Sequence, residues 1–440
     1  MISEIKKVLE SQRTELEEKL RTEKILDREG ISHAQNFLVH PNLLAVLGVR
    51  RCGKSVFSVL LARRMGTFHR VNFDDERLAW LKAKDLEKVV QALFELYGPS
   101  DTIILDEPQN IEGWERFASR LRETKRVIVT GSNSRLLAGE LATLLTGRHI
   151  DFFLSTFSFR ELLSFKPNIY LTEDIARVRR ELDSYLKGSG FPEYLKFGPT
   201  AVRTVYEDVV LKDCICRYGI RAEGAFRELA RYLISNPCSE FTYSKLGRVT
   251  GVKDVHTVRN YVQYLRQAFL IFVLERFSPK LKERMLAPKK VYPVDHGLVN
   301  FVASREGEMG KLYESVVCGE LMRLASRTYG LEVCYWRDYR GREVDFVLTR
   351  GSRVEQLIQV CYHLSEIGTR ERELSSLSQA SRELKCSNLL VITEDEEGEE
   401  RVEGRRVRLM PLWKWLLLAG GEFRNVPESA EVFKPFDQLA

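Results

Sequence analysis

The apolar run LLAVLG, Leu43 to Gly48, passes directly into GVRRCGKS, Gly48 to Ser55, and then into the helical pattern KSVFSVLLARRM. No other feature constrains the fold as strongly. A buried strand must hand over to a helix through a glycine-bearing turn, and GxxxxGK[ST] stands at that handover. The residue types suit phosphate: the turn aims backbone N–H groups inward, and the helix N-terminus adds partial positive charge. Lys54 is expected to reach the β- and γ-phosphates of ATP, and Ser55 to ligate Mg²⁺. The expected nucleotide loop comprises Gly48, Val49, Arg50, Arg51, Cys52, Gly53, Lys54, Ser55 and Val56. Arg50 and Arg51 can serve a partner instead of the nucleotide.

A second buried strand, TIILDE, ends in Asp106 and Glu107. Ligands collect at the carboxyl ends of strands in parallel α/β sheets, so Asp106 is expected to hold Mg²⁺ and Glu107 to polarise the attacking water. Between and after these runs, strand-like FHRVNFDDE and RVIVTGS alternate with helical Leu86–Tyr97 and WERFASRLRE. That alternation predicts an α/β fold, a parallel sheet with helices on both faces. Ser132 or Asn133, after the RVIVTGS strand, can sense the γ-phosphate or be turn residues. Arg148 can act as an arginine finger, in cis or in trans, or be a solvated loop arginine.

The five segments GVRRCGKS, RVNFDDERL, TIILDEPQNIEGWE, VTGSNSRLLAGELATLLTGR and LSTFSFREL together resemble an archaeal and bacterial family of predicted AAA+-type ATPases. The later segments GSGFPEY, DVHTVRNYVQYLRQAFLIFVLERF, KKVYPVDHGLVNF and GKLYESVVCGELMR resemble the same family. The resemblance implies a P-loop ATPase domain followed by a winged-helix domain and a C-terminal restriction-endonuclease-like α/β domain. It also implies ATP hydrolysis, with ATP and Mg²⁺ as cofactors.

The expected division is a helical segment over 1–38, a P-loop core over 39–165, a helical lid or linker over 166–222, a winged helix over 223–300 and a nuclease-like domain over 301–440. Ser3–Arg28 reads as one helix stopped by Gly30. Among 440 residues, no apolar run is long enough to span a bilayer, and the N-terminus lacks an apolar signal core. A cytoplasmic protein is expected, and eight cysteines without a CxxC pair predict reduced, buried thiols.

The net charge of +6 is mild, so the position of the basic residues matters more than their sum. FTYSKLGRVTGVKDVHTVRNYVQYLRQ has the cadence of helix, turn and helix, with Gly251 at the turn and Asp254 as the cap of the second helix. Lys253, His256, Arg259 and Arg266 are assigned to the outward face of that helix, and Val258, Val262, Leu265 and Phe269 to the core. A strand pair flanks SPKLKERMLAPKK, whose Lys280, Lys282, Arg284, Lys289 and Lys290 are expected to line a wing that contacts DNA. The alternative is a spacer with solvated lysines.

In the C-terminal part, Glu314 or Glu320, Asp345 and the pair Gln359/Cys361 fall in the acid, acid and acid-x-lysine slots of a nuclease site. Glutamine is a weak ligand for a hard cation, and cysteine supplies no positive charge. The site is therefore read as degenerate, and the domain as a binding or assembly module. The reading of the whole is an ATPase that couples ATP binding and hydrolysis to DNA binding or remodelling, with a DNA-processing protein and a homo-oligomer as further partners and no membrane. Two alternatives stand beside it, a slow ATP-dependent signalling switch with a protein partner and an ATP-gated nuclease.

Overall fold

The computed structural model describes residues 2–38, 42–132, 149–302, 308–365 and 367–419. Two compact units divide the chain: residues 1–155 with 267–269, and residues 156–266 with 270–440.

The first unit is built on five parallel strands, β1 (Leu43–Leu47), β2 (Phe68–Asn72), β3 (Thr102–Asp106), β4 (Arg126–Gly131) and β5 (His149–Phe153), in the order β2-β3-β4-β1-β5. Every residue of β1 and β3 is buried, which is why both read as unbroken apolar runs. The helices Lys54–Met65, Leu86–Tyr97 and Trp114–Leu121 follow β1, β2 and β3. The first helix, Ile2–Thr22, ends well before Arg28. Gly30, at φ 83°, precedes a second helix, Ile31–Leu38, and does not close the first. Gln12 of the first helix exchanges hydrogen bonds with the backbone of Asn72 at the end of β2 (3.0 and 2.9 Å). An amide that pairs a half-buried strand end in this way ties the N-terminal segment to the sheet.

The second unit carries two sheets. The smaller is antiparallel, β6 (Ser239–Phe241), β8 (Lys289–Pro293) and β7 (Ile271–Glu275) in that order, with the helices Tyr243–Thr250 and Val255–Gln267 between β6 and β7. Gly251 ends the first of these helices at φ 70°. The Asp254 carboxylate accepts the backbone N–H groups of His256 (3.1 Å) and Thr257 (2.9 Å), capping the second as its sequence predicts. A short helix, Leu281–Leu286, interrupts the β7–β8 connection.

The larger sheet has six strands. They are β9 (Leu331–Arg337), β10 (Glu343–Arg350), β11 (Arg353–Val360), β12 (Leu389–Thr393), β13 (Gly398–Val402) and β14 (Arg405–Pro411), in the order β13-β14-β12-β11-β10-β9. β9, β10 and β11 form an antiparallel meander, and β11, β12 and β14 run parallel. The helix Met309–Arg327 precedes the sheet and Ile367–Leu384 supplies the crossover between β11 and β12. β13, β14 and the closing helix Leu412–Leu418 extend the set read from the sequence.

Two of the resembling segments meet in this unit. The Asp295 carboxylate, from KKVYPVDHG, accepts Ser189 Oγ (2.7 Å) and Gly190 N–H (3.0 Å), both from GSGFPEY, and the Gly297 N–H (2.8 Å). A Cβ at Gly190 would lie 2.5 Å from the Phe157 carbonyl oxygen and 2.9 Å from Asp295 Oδ2, so glycine is required by close approach. Gly190→Ala should therefore destabilise the protein by about 2 kcal/mol or more, through displaced backbone and the weakened Asp295 bonds. Guanidinium unfolding followed by circular dichroism checks this, and an unchanged midpoint would refute it.

Candidate functional site

The turn between β1 and its helix is set by backbone shape. Arg51 and Gly53 both take positive φ, 63° and 98°. A Cβ at Gly48 would lie 2.1 Å from the Leu154 carbonyl oxygen, so only glycine fits there. Val49 and Cys52 are buried. The Cys52 thiol donates to the Leu154 carbonyl (3.2 Å), and burial pushes its pKa up. Arg28 donates to the carbonyls of Cys52 (2.8 Å) and Ser155 (2.6 Å), bracing the turn from a segment that sequence reading left without a role.

Lys54 opens the helix, and its ammonium donates to the carbonyls of Gly48 (3.1 Å) and Val49 (3.2 Å) in its own loop. It lies 3.9 Å from Glu107. Val56 is half-buried in the first helical turn.

Asp106, at the end of β3, is almost fully buried. Its Oδ1 accepts Ser55 Oγ (3.0 Å) and the Thr130 hydroxyl, and its Oδ2 accepts the Arg70 guanidinium through Nε (3.0 Å) and an NH₂ group. Thr130 also accepts the Glu107 N–H (3.1 Å). Glu107 holds φ at 51°, a conformation costly for a residue with a side chain, and its carboxylate accepts the Gln109 amide. Lys54, Ser55, Asp106 and Glu107 thus converge at the carboxyl edge of the sheet, while Arg50 is half-buried and Arg51 exposed on the loop. Asn133 and Arg148 lie outside the described residues. Arg70 and Thr130 were not singled out from sequence. Thr130 is placed opposite Asp106 by strand register, and Arg70, opposite Ile104, reaches it along the edge of β2.

The donor set fits the group that the loop implies. A serine hydroxyl and a carboxylate are hard oxygen ligands suited to Mg²⁺, and the turn offers the backbone shape that anion-binding nests require.

The basic candidates separate. Lys253, His256, Arg259 and Arg266 are exposed, although Lys253 lies in the turn before the helix. Asn260 and Gln263 share their outward face, and Val258, Val262 and Leu265 are buried beneath it. The supposed wing is mostly internally paired. Lys280 bonds Glu283 (3.0 Å), Arg284 bonds Glu275 (2.7 Å) and Glu332 (3.0 Å), and Lys289 lies 3.4 Å from Glu275. Lys282 is exposed. Lys290 is a correction to the sequence reading: it is only 2% exposed and points into the protein, where DNA cannot reach it.

The nuclease-slot residues also divide. Glu314 and Asp345 share one site with Lys290, whereas Glu320 bonds Arg160 and Arg323 elsewhere in the second unit. Burial opposes the Glu320 charge, but the two guanidiniums outweigh it and hold its carboxyl well below the usual range. Cys361 is buried, and burial pushes its thiol up to about 12.

A family model described as AAA domain matches residues 40–163. Two more, each described as a domain of unknown function (DUF8612 and DUF4143), match 179–308 and 309–415. An uncharacterized protein of Methanocaldococcus jannaschii, MJ1544, is 30% identical over 402 residues, covering 86% of this chain and 89% of that protein. The chain belongs to the family of that archaeal protein. An uncharacterized protein of Haemophilus influenzae is 26% identical over 340 residues, covering 73% of this chain and 82% of its own. Among solved structures, one described as the Walker-type ATPase PABY2304 of Pyrococcus abyssi is 15% identical. It covers 63% of this chain and 96% of that one, at a TM-score of 0.39. The AAA domain is of the P-loop ATPase type, which uses nucleotide and Mg²⁺ in general. Among the described residues, no helix is long and apolar enough to cross a membrane.

Asp106 is buried, and among the described residues Arg70 is the cation bonded to it. Arg70→Ala should destabilise the nucleotide-free protein by about 3 kcal/mol, the cost of leaving a buried charge uncompensated. Arg70→Lys should recover part of the loss. Urea unfolding of both variants beside the wild type measures it, and an Ala variant of wild-type stability would refute the dependence.

Proposed function

We propose that this chain is a Mg²⁺-dependent ATPase that couples nucleotide state to contact with duplex DNA. The observation that carries the reading is the meeting of Lys54, Ser55, Asp106 and Glu107 at the carboxyl ends of β1 and β3. In this reading Lys54 exchanges its loop carbonyls for the β- and γ-phosphates, and the loop N–H groups hold the remaining phosphate oxygens. Ser55 and Asp106 hold Mg²⁺, which supplies positive charge against the phosphates when bound. Glu107 orients the attacking water and accepts its proton, from a backbone conformation that turns it away from the strand. Ser132 or Asn133 is kept as the candidate γ-phosphate sensor and Arg148 as the candidate arginine finger.

The helix pair Tyr243–Thr250 and Val255–Gln267 with the three-stranded sheet supports a winged-helix identity. Lys253, His256 and Arg259 are proposed for phosphate, and Asn260 and Gln263 for base edges, since an amide can make a bidentate pair with adenine. The six-stranded sheet is read as a restriction-endonuclease-like module for binding or assembly, and the five-part division of the chain is kept as part of this proposal. A second reading, a slow switch with a protein partner, is favoured by the short Leu281–Leu286 helix, where Leu281, Met285 and Leu286 are all more than 60% exposed.

Lys54→Ala should abolish ATP hydrolysis, while Glu107→Gln should retain ATP binding and stall turnover. Phosphate release and fluorescent-nucleotide binding measure the two, and full turnover by Glu107→Gln would remove it from the proposed role. Charge reversal at Lys253 and Arg259 should weaken DNA binding and lower its salt dependence by about one counterion per lost contact. The same change at Lys280 and Arg284 should do less, because those charges are already paired. DNA binding that ignores salt in every variant would favour the protein-partner switch.

A further inference from the structure

The buried Lys290 is the most unusual charge in the second unit. It comes from β8 of the small sheet, and its ammonium contacts three carboxylates from two other elements. Glu314 of the Met309–Arg327 helix lies at 3.1 Å, Asp345 of β10 at 3.3 Å, and Glu343 of β10 in direct contact. Each carboxylate is also engaged elsewhere. Tyr292, two residues along β8, donates its hydroxyl to the same Glu314 oxygen (2.6 Å). The Val360 N–H donates to the second Asp345 oxygen (2.9 Å), and Glu343 lies 3.7 Å from Arg337. Gln359 spans the edge of the group: its oxygen accepts the Asp345 N–H (3.3 Å) and its amide donates to Glu373 (2.7 Å).

Glu314 and Asp345 are the acids assigned from sequence to the two carboxylate slots, and the lysine absent from position 361 is present after all, delivered from another sheet. Here the ammonium touches the carboxylate oxygens themselves. A divalent cation would need the same oxygens at about 2.0–2.6 Å, so lysine and metal compete for one place.

We propose that Lys290 is the built-in cation of an acidic pocket formed by Glu314, Glu343 and Asp345, occupying the position that a divalent metal would take and leaving the six-stranded domain metal-free. The three carboxylates already outnumber the one ammonium, and glutamine at 359 adds no further negative charge beside them. The proposal stands apart from the ATPase reading and survives its failure.

The test is Mn²⁺ titration of the full chain, read by the electron paramagnetic resonance of free Mn²⁺, with no nucleotide present. Wild type and Asp345→Asn should bind Mn²⁺ alike. Lys290→Met should gain a site at least tenfold tighter than any in wild type, and adding Asp345→Asn should abolish it. Wild-type Mn²⁺ binding that Asp345→Asn removes and Lys290→Met weakens would overturn the proposal, since lysine and metal would then cooperate. A folded Lys290→Met protein that gains no site overturns it equally. Should Lys290→Met fail to fold, the charge argument requires that Lys290→Met with Asp345→Asn and Glu343→Gln restore folding; a triple variant that stays unfolded counts against the proposal.

Discussion

A carboxylate buried on a strand must be given a cation, and this chain depends on that constraint twice. Removing such a charge from water costs several kcal/mol unless an opposite charge and hydrogen bonds replace the solvent. Asp106 receives Arg70 together with two hydroxyls. Asp345 receives Lys290 together with a backbone N–H. In each case the cation comes from a different strand, so the ion pair forms only when the sheet is assembled. Each pair thereby makes its acid dependent on the correct tertiary arrangement.

The two sites differ in how easily that cation could be exchanged. Arg70 reaches Asp106 from the neighbouring strand β2, and its side chain is 15% exposed. Lys290 is enclosed, with a tyrosine hydroxyl and three carboxylates around it. A site meant for a transient ligand gains from the first arrangement and loses from the second. The same contrast separates the edge that carries left-handed Arg51 and Glu107 from the buried group of Asp345, Gln359 and Cys361.

Charge position also reshapes the reading of the basic middle. The stretch from Lys280 to Lys290 is dense in cations, yet Glu275, Glu283, Glu314 and Glu332 bind most of them. Those acids lie as far as 48 residues away in sequence from the arginine they meet. The helix Val255–Gln267 is the reverse case. Its cap, its buried Val258, Val262 and Leu265 and its exposed His256 and Arg259 all follow from local spacing.

What the sequence determined by itself is what local physics controls. Unbroken apolar runs made β1 and β3 central strands. The glycines at 48 and 53 and the cap at 254 set a turn and a helix start, and the order of Lys54, Ser55, Asp106 and Glu107 announced their meeting. β13 was less legible, because it is mostly exposed and polar and leaves no apolar signature. Which cation neutralises Asp106 and which neutralises Asp345 was decided by tertiary structure alone. Arg70, Thr130 and Lys290 are unremarkable on their own strands, and nothing in their neighbours' spelling marks them. Strand register and the packing of one sheet against another bring them to Asp106 and Asp345, since electrostatic partners are selected by distance in space and not by distance along the chain.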